Sequence, residues 1–276
     1  MRTLVHYFCF IIANKSYEKP IPVYYTIPAK MHNKRYTGLI FLLFFLTVQQ
    51  IFAGPPFDTD DPETVRHKHW EYYISTLNSS QFSAWSGTSP HIEINYGLLE
   101  NLQIHLIMPM NYSYSPPSRA KFGYADTEIG AKYRFVQETE NTPQIGVFPT
   151  VEVPTFKNSE FSDGNVKVFL PVWAQKSFGK FTTYGGAGYW INPGKDNKNW
   201  IFTGWEVQYD FSELLTLGGE VYYHSADTKT SKSGVGFNIG GSVNLSSKFH
   251  IIFSAGHSIS NNNNMFSSYF GLLWTI

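Results

Sequence analysis

From Trp70 to the end of the chain, apolar and polar residues alternate one by one in stretches too long for ordinary globular strands. In "IFTGWEVQYDF" (201–211), Ile201, Thr203, Trp205, Val207, Tyr209 and Phe211 share one face; Phe202, Gly204, Glu206, Gln208 and Asp210 share the other. In "YADTEIGAKYRF" (124–135), Thr127, Ile129, Ala131, Tyr133 and Phe135 oppose Asp126, Glu128, Gly130, Lys132 and Arg134. The stretches "HIEINYGL" (91–98) and "VGFNIGGSVNL" (235–245) behave in the same way. A period of two is the mark of a strand with two unlike faces. About twelve such segments are predicted, near 70–77, 90–98, 101–111, 124–136, 143–154, 165–176, 181–192, 200–211, 214–225, 233–245, 249–258 and 265–276. Globular strands commonly run about 5–6 residues. A tilted membrane strand needs about 9–11.

The connections sort by length. After even-numbered segments they are short: "LEN", "QETENT", "SFGK", "SE" and "SSK". After odd-numbered ones most are long and polar: "NSSQFSAWSGTS", "YSYSPPSRAKFG", "TFKNSEFSDG", "NPGKDNKN", "ADTKTSKS" and "SNNNN". Short turns on one side and long loops on the other predict an all-β fold, a transmembrane antiparallel up-and-down β-barrel of about twelve strands, with both termini on the periplasmic side. A soluble sandwich has no reason to alternate in this way. Closure also leaves no open strand edges. Composition agrees. Charged residues are 15% and aromatics 17%, against roughly 25% charged in soluble domains. The mean hydropathy of −0.22 excludes a bundle of membrane helices. Zero formal net charge gives no basic field for nucleic acid, so no nucleic-acid partner is expected.

Upstream, "MHNKRYTGLIFLLFFLTVQQIFAG" reads as a secretory signal. Lys34 and Arg35 form its basic region, Gly38 to Val48 its apolar core, and Ala53 the small residue before cleavage. The uninterrupted apolar run is about half the ~20 residues a spanning helix needs. Residues 31–53 are therefore expected to be a signal peptide, and 1–30 an over-called or extended leader. The single cysteine, Cys9, lies in that leader, and the rest of the chain is cysteine-free, which suits an oxidising compartment. The expected location is the outer membrane of a Gram-negative cell.

Residues 54–69, "GPPFDTDDPETVRHKH", form a Pro- and Asp-rich periplasmic extension ahead of the barrel at 70–276. Pro55, Pro56 and Pro62 keep it out of helix and ladder. Its acids, Asp58, Asp60, Asp61 and Glu63, lack the glycine and distal glutamate spacing of an EF-hand loop, and no metal is expected. The stretch resembles the opening of mature chains in the family named putative MetA-pathway of phenol degradation, predicted outer-membrane transporters. The resemblance is carried by Pro55, Pro56 and Phe57; by Thr59, Asp60, Asp61, Pro62 and Glu63; and by His69, Trp70 and Glu71. It implies passage of small aromatic or hydrophobic compounds and no demonstrated reaction. The final segment, "MFSSYFGLLWTI", places Phe266, Phe270, Leu272, Trp274 and Ile276 on one face. It resembles the terminal-strand signal of outer-membrane barrels, with Ile276 where Phe is usual, and implies the barrel-assembly machinery as a partner.

Some barrels are lipid hydrolases with a His–Ser pair on one face. Here His224 and Ser225 are adjacent, and His257 is adjacent to Ser258 and three residues from Ser260, so each pair opposes. No catalytic residue and no cofactor is expected. By parity the lumen should carry Glu71, Glu93, His105, Asp126, Glu128, Lys132, Arg134, Glu152, Lys167, Glu206, Gln208, Asp210 and Glu220. Such groups satisfy one another inside a polar barrel and also tune what passes. The expected partners are outer-membrane lipid and a small-molecule solute, and the expected function is a channel or transporter for small hydrophobic or aromatic compounds. A structural or adhesive surface barrel and a lipid deacylase are the alternative classes.

Overall fold

The computed structural model describes residues 54–156, 159–260 and 263–276, so the expected leader at 1–53 lies outside the described residues. The alternating segments become strands β1 (Trp70–Gln81), β2 (Ala84–Leu99) and β3 (Leu102–Tyr114), then β4 (Lys121–Tyr124) and β5 (Thr127–Val136), both of which pair with β3. β6 (Gln144–Val147) and β7 (Thr150–Val153) both lie between β5 and β8 (Lys167–Phe178). β9 (Phe181–Ile191), β10 (Trp200–Asp210), β11 (Leu215–His224), β12 (Gly234–Asn244), β13 (Phe249–Ser260) and β14 (Asn263–Thr275) follow as a meander. β14 returns to pair with β1, from Glu71 opposite Thr275 to Ser80 opposite Phe266. Every ladder is antiparallel. With β4–β5 and β6–β7 each counted as one interrupted stave, the molecule is a closed twelve-stranded barrel.

The two interruptions have local causes. Pro149 has no N–H to give the ladder, and its carbonyl instead accepts from Ala131 N at 3.1 Å. At the other break the carbonyl of Pro109 accepts from Ala125 N at 3.1 Å. Two outer connections are shorter than the sequence suggests. β1 and β2 run on to Gln81 and from Ala84, and β13 and β14 run to Ser260 and from Asn263. Serine, threonine and asparagine raise polarity without breaking a strand. Beyond the bilayer both sheet faces meet water, so polar residues continue the ladder. Phe82, with φ 54°, makes the first of these turns.

The two faces differ sharply. Ile74, Trp205, Val221 and Ile239 are each about 60% exposed or more on the outside, whereas their neighbours Tyr73, Glu206, Glu220 and Asn238 are buried. An apolar band around the whole circumference is the wrong surface for water and the right one for lipid. At the short-turn end, aromatic contacts such as Trp70–Tyr96 (4.3 Å), Phe181–Tyr209 (4.6 Å) and Phe249–Trp274 (5.7 Å) gather into a girdle.

Candidate functional site

The interior is built from a strap, a charged wall and an aromatic wall. The strap is the acidic, proline-interrupted segment that precedes β1. The sequence reads it as a periplasmic extension ahead of the barrel. The structure carries it across the interior, because its polar groups find partners on both sides. The carbonyl of Pro56 accepts from Ser254 Oγ of β13 at 2.6 Å. The amides of Asp58 and Thr59 donate to the two oxygens of Glu220 on β11 at 2.9 and 2.7 Å. Asn238 Nδ2 of β12 donates to Glu220 at 2.6 Å and to Asp58 at 3.1 Å. Across the barrel, Lys132 Nζ on β5 lies 2.8 Å from Asp60 and 3.9 Å from Asp61. Arg134 pairs with Glu63, and Gln144 Nε2 donates to the same carboxylate at 2.9 Å. Gln103 on β3 accepts from Val65 N at 2.9 Å, and Lys68 N donates to Gly97 O of β2 at 2.7 Å.

Thr59 and Asp61 have no exposure at all. The wall is cut back to admit the strap. A Cβ on Gly204 would stand 2.0 Å from Thr59 Oγ1, and one on Gly97 would stand 2.1 Å from Arg66 O. Burial pushes the Asp61 carboxyl up to about 8, against the pull of Lys132. Solvent reaches the Asp58 side chain, yet the surrounding wall desolvates it. With Glu220 beside it, its carboxyl rises to about 7. Among the other motif residues, Trp70 packs on Tyr96, His69 Nδ1 lies 2.9 Å from His67 O, and Glu71 accepts from Tyr73 Oη at 2.9 Å.

The remaining parity-selected residues lie on the inward strand faces in three groups. On β2, β3 and β5, Asn95 donates to Glu93 at 2.8 Å. His105 Nδ1 lies 2.7 Å from Asn95 Oδ1, and Nε2 lies 3.1 Å from Glu128. Next to them, Lys167 sits 3.3 Å from Glu152 and 3.8 Å from both Asp126 and Asp163. On the far side, Glu206 faces Glu220 across β10 and β11. Glu206 is fully buried, and neither carboxylate oxygen has a hydrogen-bond partner. Gln208 donates to Tyr184 Oη at 2.9 Å, and Asp210 accepts from Thr216 near the turn. Among the described residues, no group of three or more His, Cys, Asp or Glu is arranged to hold a metal ion.

The aromatic wall is the part that a search for polar residues passes over. Phe169, Trp190 and Trp200 stand opposite one another on β8, β9 and β10, with ring centroids 4.7 and 5.4 Å apart and planes within 14°. One step toward the strap, Trp173, Phe202, Tyr222 and Phe148 form a buried cluster. Trp173–Phe202 is 6.3 Å and Phe202–Tyr222 is 6.0 Å. Phe148, turned inward at the β6–β7 break, meets His105 edge-on at 5.1 Å and lies 4.9 Å below Lys132 Nζ. The aromatic wall thus abuts the charged wall directly. Parity already put Phe202 inside, and it puts Trp173 beside Gln175 and Tyr222 beside Glu220. The signal was present in the alternation.

Comparison with solved structures gives the same architecture. The COG4313 outer membrane channel from Pseudomonas putida F1 superposes with a TM-score of 0.62 at 14% identity, covering 80% of this chain and all of that one. The NanC porin gives 0.53 at 10% identity, over 74% of this chain and 98% of that one. The translocator domain of the autotransporter NalP from Neisseria meningitidis gives 0.52 at 10% identity, over 77% and 89%. No curated protein matches the chain. Residues 54–275, strap and barrel together, match the family model described as "Putative MetA-pathway of phenol degradation", and the chain belongs to that family.

Proposed function

We propose that the protein is an outer-membrane channel for small hydrophobic or aromatic compounds, exported to the outer membrane of a Gram-negative cell and folded there through its C-terminal strand. The observation that carries this reading is the inner aromatic wall. A barrel that needed only to fill itself has no use for three co-stacked rings, Phe169, Trp190 and Trp200, on its inner surface. Flat π faces bind planar apolar solutes and release them without fixed hydrogen bonds. The family's link to phenol degradation and the channel from Pseudomonas putida among similar folds support the same reading.

A structural barrel without transport is the second reading. The strap favours it, since a segment tied to both sides of the interior obstructs the passage. Planar-bilayer recording on purified protein separates the two. The channel reading expects discrete conductance steps that phenol-like solutes reduce, with less reduction in Trp190→Ala. Absence of conductance both in the wild type and in a chain lacking 54–64 would leave the structural reading standing.

A further inference from the structure

The chain as a whole is neutral, but its interior is not. Among the described residues, eight wall carboxylates face inward, in the three groups described above and at Glu71, against three wall cations, Lys132, Arg134 and Lys167. The strap takes two of those cations, Lys132 for Asp60 and Arg134 for Glu63. The third, Lys167, is shared by three carboxylates at 3.3 to 3.8 Å. Two further observations show inward carboxyls with unsatisfied oxygens. Neither oxygen of the fully buried Glu206 has a hydrogen-bond partner, and Asp126 Oδ1, on a residue 8% exposed, has none either. The ladder register places the carboxylates around Lys167, not Glu206, against the rings. Lys167, opposite Glu152, which is opposite Glu128, occupies the step next to Phe169, Trp190 and Trp200.

Carboxylates beside half-buried aromatic rings, in a space partly shielded from water, make a site for a weakly hydrated organic cation. The ring quadrupole attracts the charge, and the carboxylates complete it. A neutral arene gains only the rings. An aromatic carboxylate gains the rings and meets like charge. We infer that the interior selects organic cations bearing an aromatic ring or an alkylated ammonium group over aromatic carboxylates of the same size. The inference rests on the channel reading and adds the solute's charge to it.

The test is current block in planar bilayers at fixed ionic strength, with benzyltrimethylammonium, benzyl alcohol and benzoate as probes. Half-block by the cation is expected at about tenfold lower concentration than by benzoate. Glu128→Gln with Glu152→Gln should remove most of that preference, whereas Lys176→Gln, at an ion pair with Glu138 near the turns, should keep it. Heat-shifted gel migration establishes that each variant is folded, and Glu152→Gln alone serves if the double variant is not. Block by benzoate at equal or lower concentration overturns the inference and leaves the channel reading intact. A preference that survives the double variant also overturns it. Absence of conductance with or without the strap removes the channel reading, and the inference with it.

Discussion

Glu220 is the residue on which the strap hangs. Its carboxylate accepts two strap amides and the Asn238 side chain. Glu220→Gln keeps the shape but replaces one acceptor oxygen with a donor, which then opposes a strap N–H. The cost should be about 1–3 kcal/mol of strap docking, with the barrel left folded. Hydrogen exchange at the Asp58 and Thr59 amides reads this directly, and unchanged exchange would refute the anchor. The strap's own acids add a pH dependence. A carboxyl raised on docking favours the docked state at low pH. The preference is lost as pH climbs from the free value of 3.8 through about 7 for Asp58 and about 8 for Asp61. Strap amides should therefore exchange faster, relative to the free peptide, at about pH 8.5 than at about pH 6. Asp61→Asn should flatten the change. A wild-type profile already flat would show that these two groups do not titrate in this range.

At the level of the strand, the outward residues meet hydrocarbon and the inward ones meet the strap or each other. Ile129→Arg and Val207→Arg place charge at outward side chains that are 52% and 44% exposed. Each should cost roughly 2–4 kcal/mol near mid-bilayer and lower the yield of heat-modifiable barrel on a gel. Polar replacement of the inward Gln208 should cost less. Equal losses at Val207 and Gln208 would mean that the two faces are misassigned. Gly130 looks equally permissive by parity but is not. A Cβ there would meet Phe148 Cε2 and Thr150 Cγ2 at 2.9 Å. That contrast marks what alternation can and cannot convey. A period of two fixes strand positions and faces, because lipid outside and protein inside enforce it at every step. It carries no information on the inward turn of Phe148 at a proline-broken stave. Nor does it show where polar strands end above the bilayer, or the path of the strap. The strap has no period, and its course is set by partners scattered from Gly97 to Ser254.

For the molecule as a whole, the strap and the barrel are separable by deletion. A chain lacking 54–64 loses the contacts to β11, β12 and β13 but none of the fourteen-segment ladder. It should keep its β circular dichroism and its gel shift on boiling, and conduct more current than the wild type. A deletion that abolishes the gel shift would make the strap part of the fold rather than an occupant of it. The strap is also the part of the barrel nearest the start of the chain, yet three of its anchors, Glu220, Asn238 and Ser254, lie 161 to 198 residues downstream. An intermediate missing its last hairpins can moor Asp60 to Lys68 on β2, β3, β5 and β6 but has no partner for Pro56 to Thr59. That first stretch therefore swings free until the closing strands arrive, and a protease that cuts between Pro56 and Thr59 would distinguish unfinished barrels from finished ones.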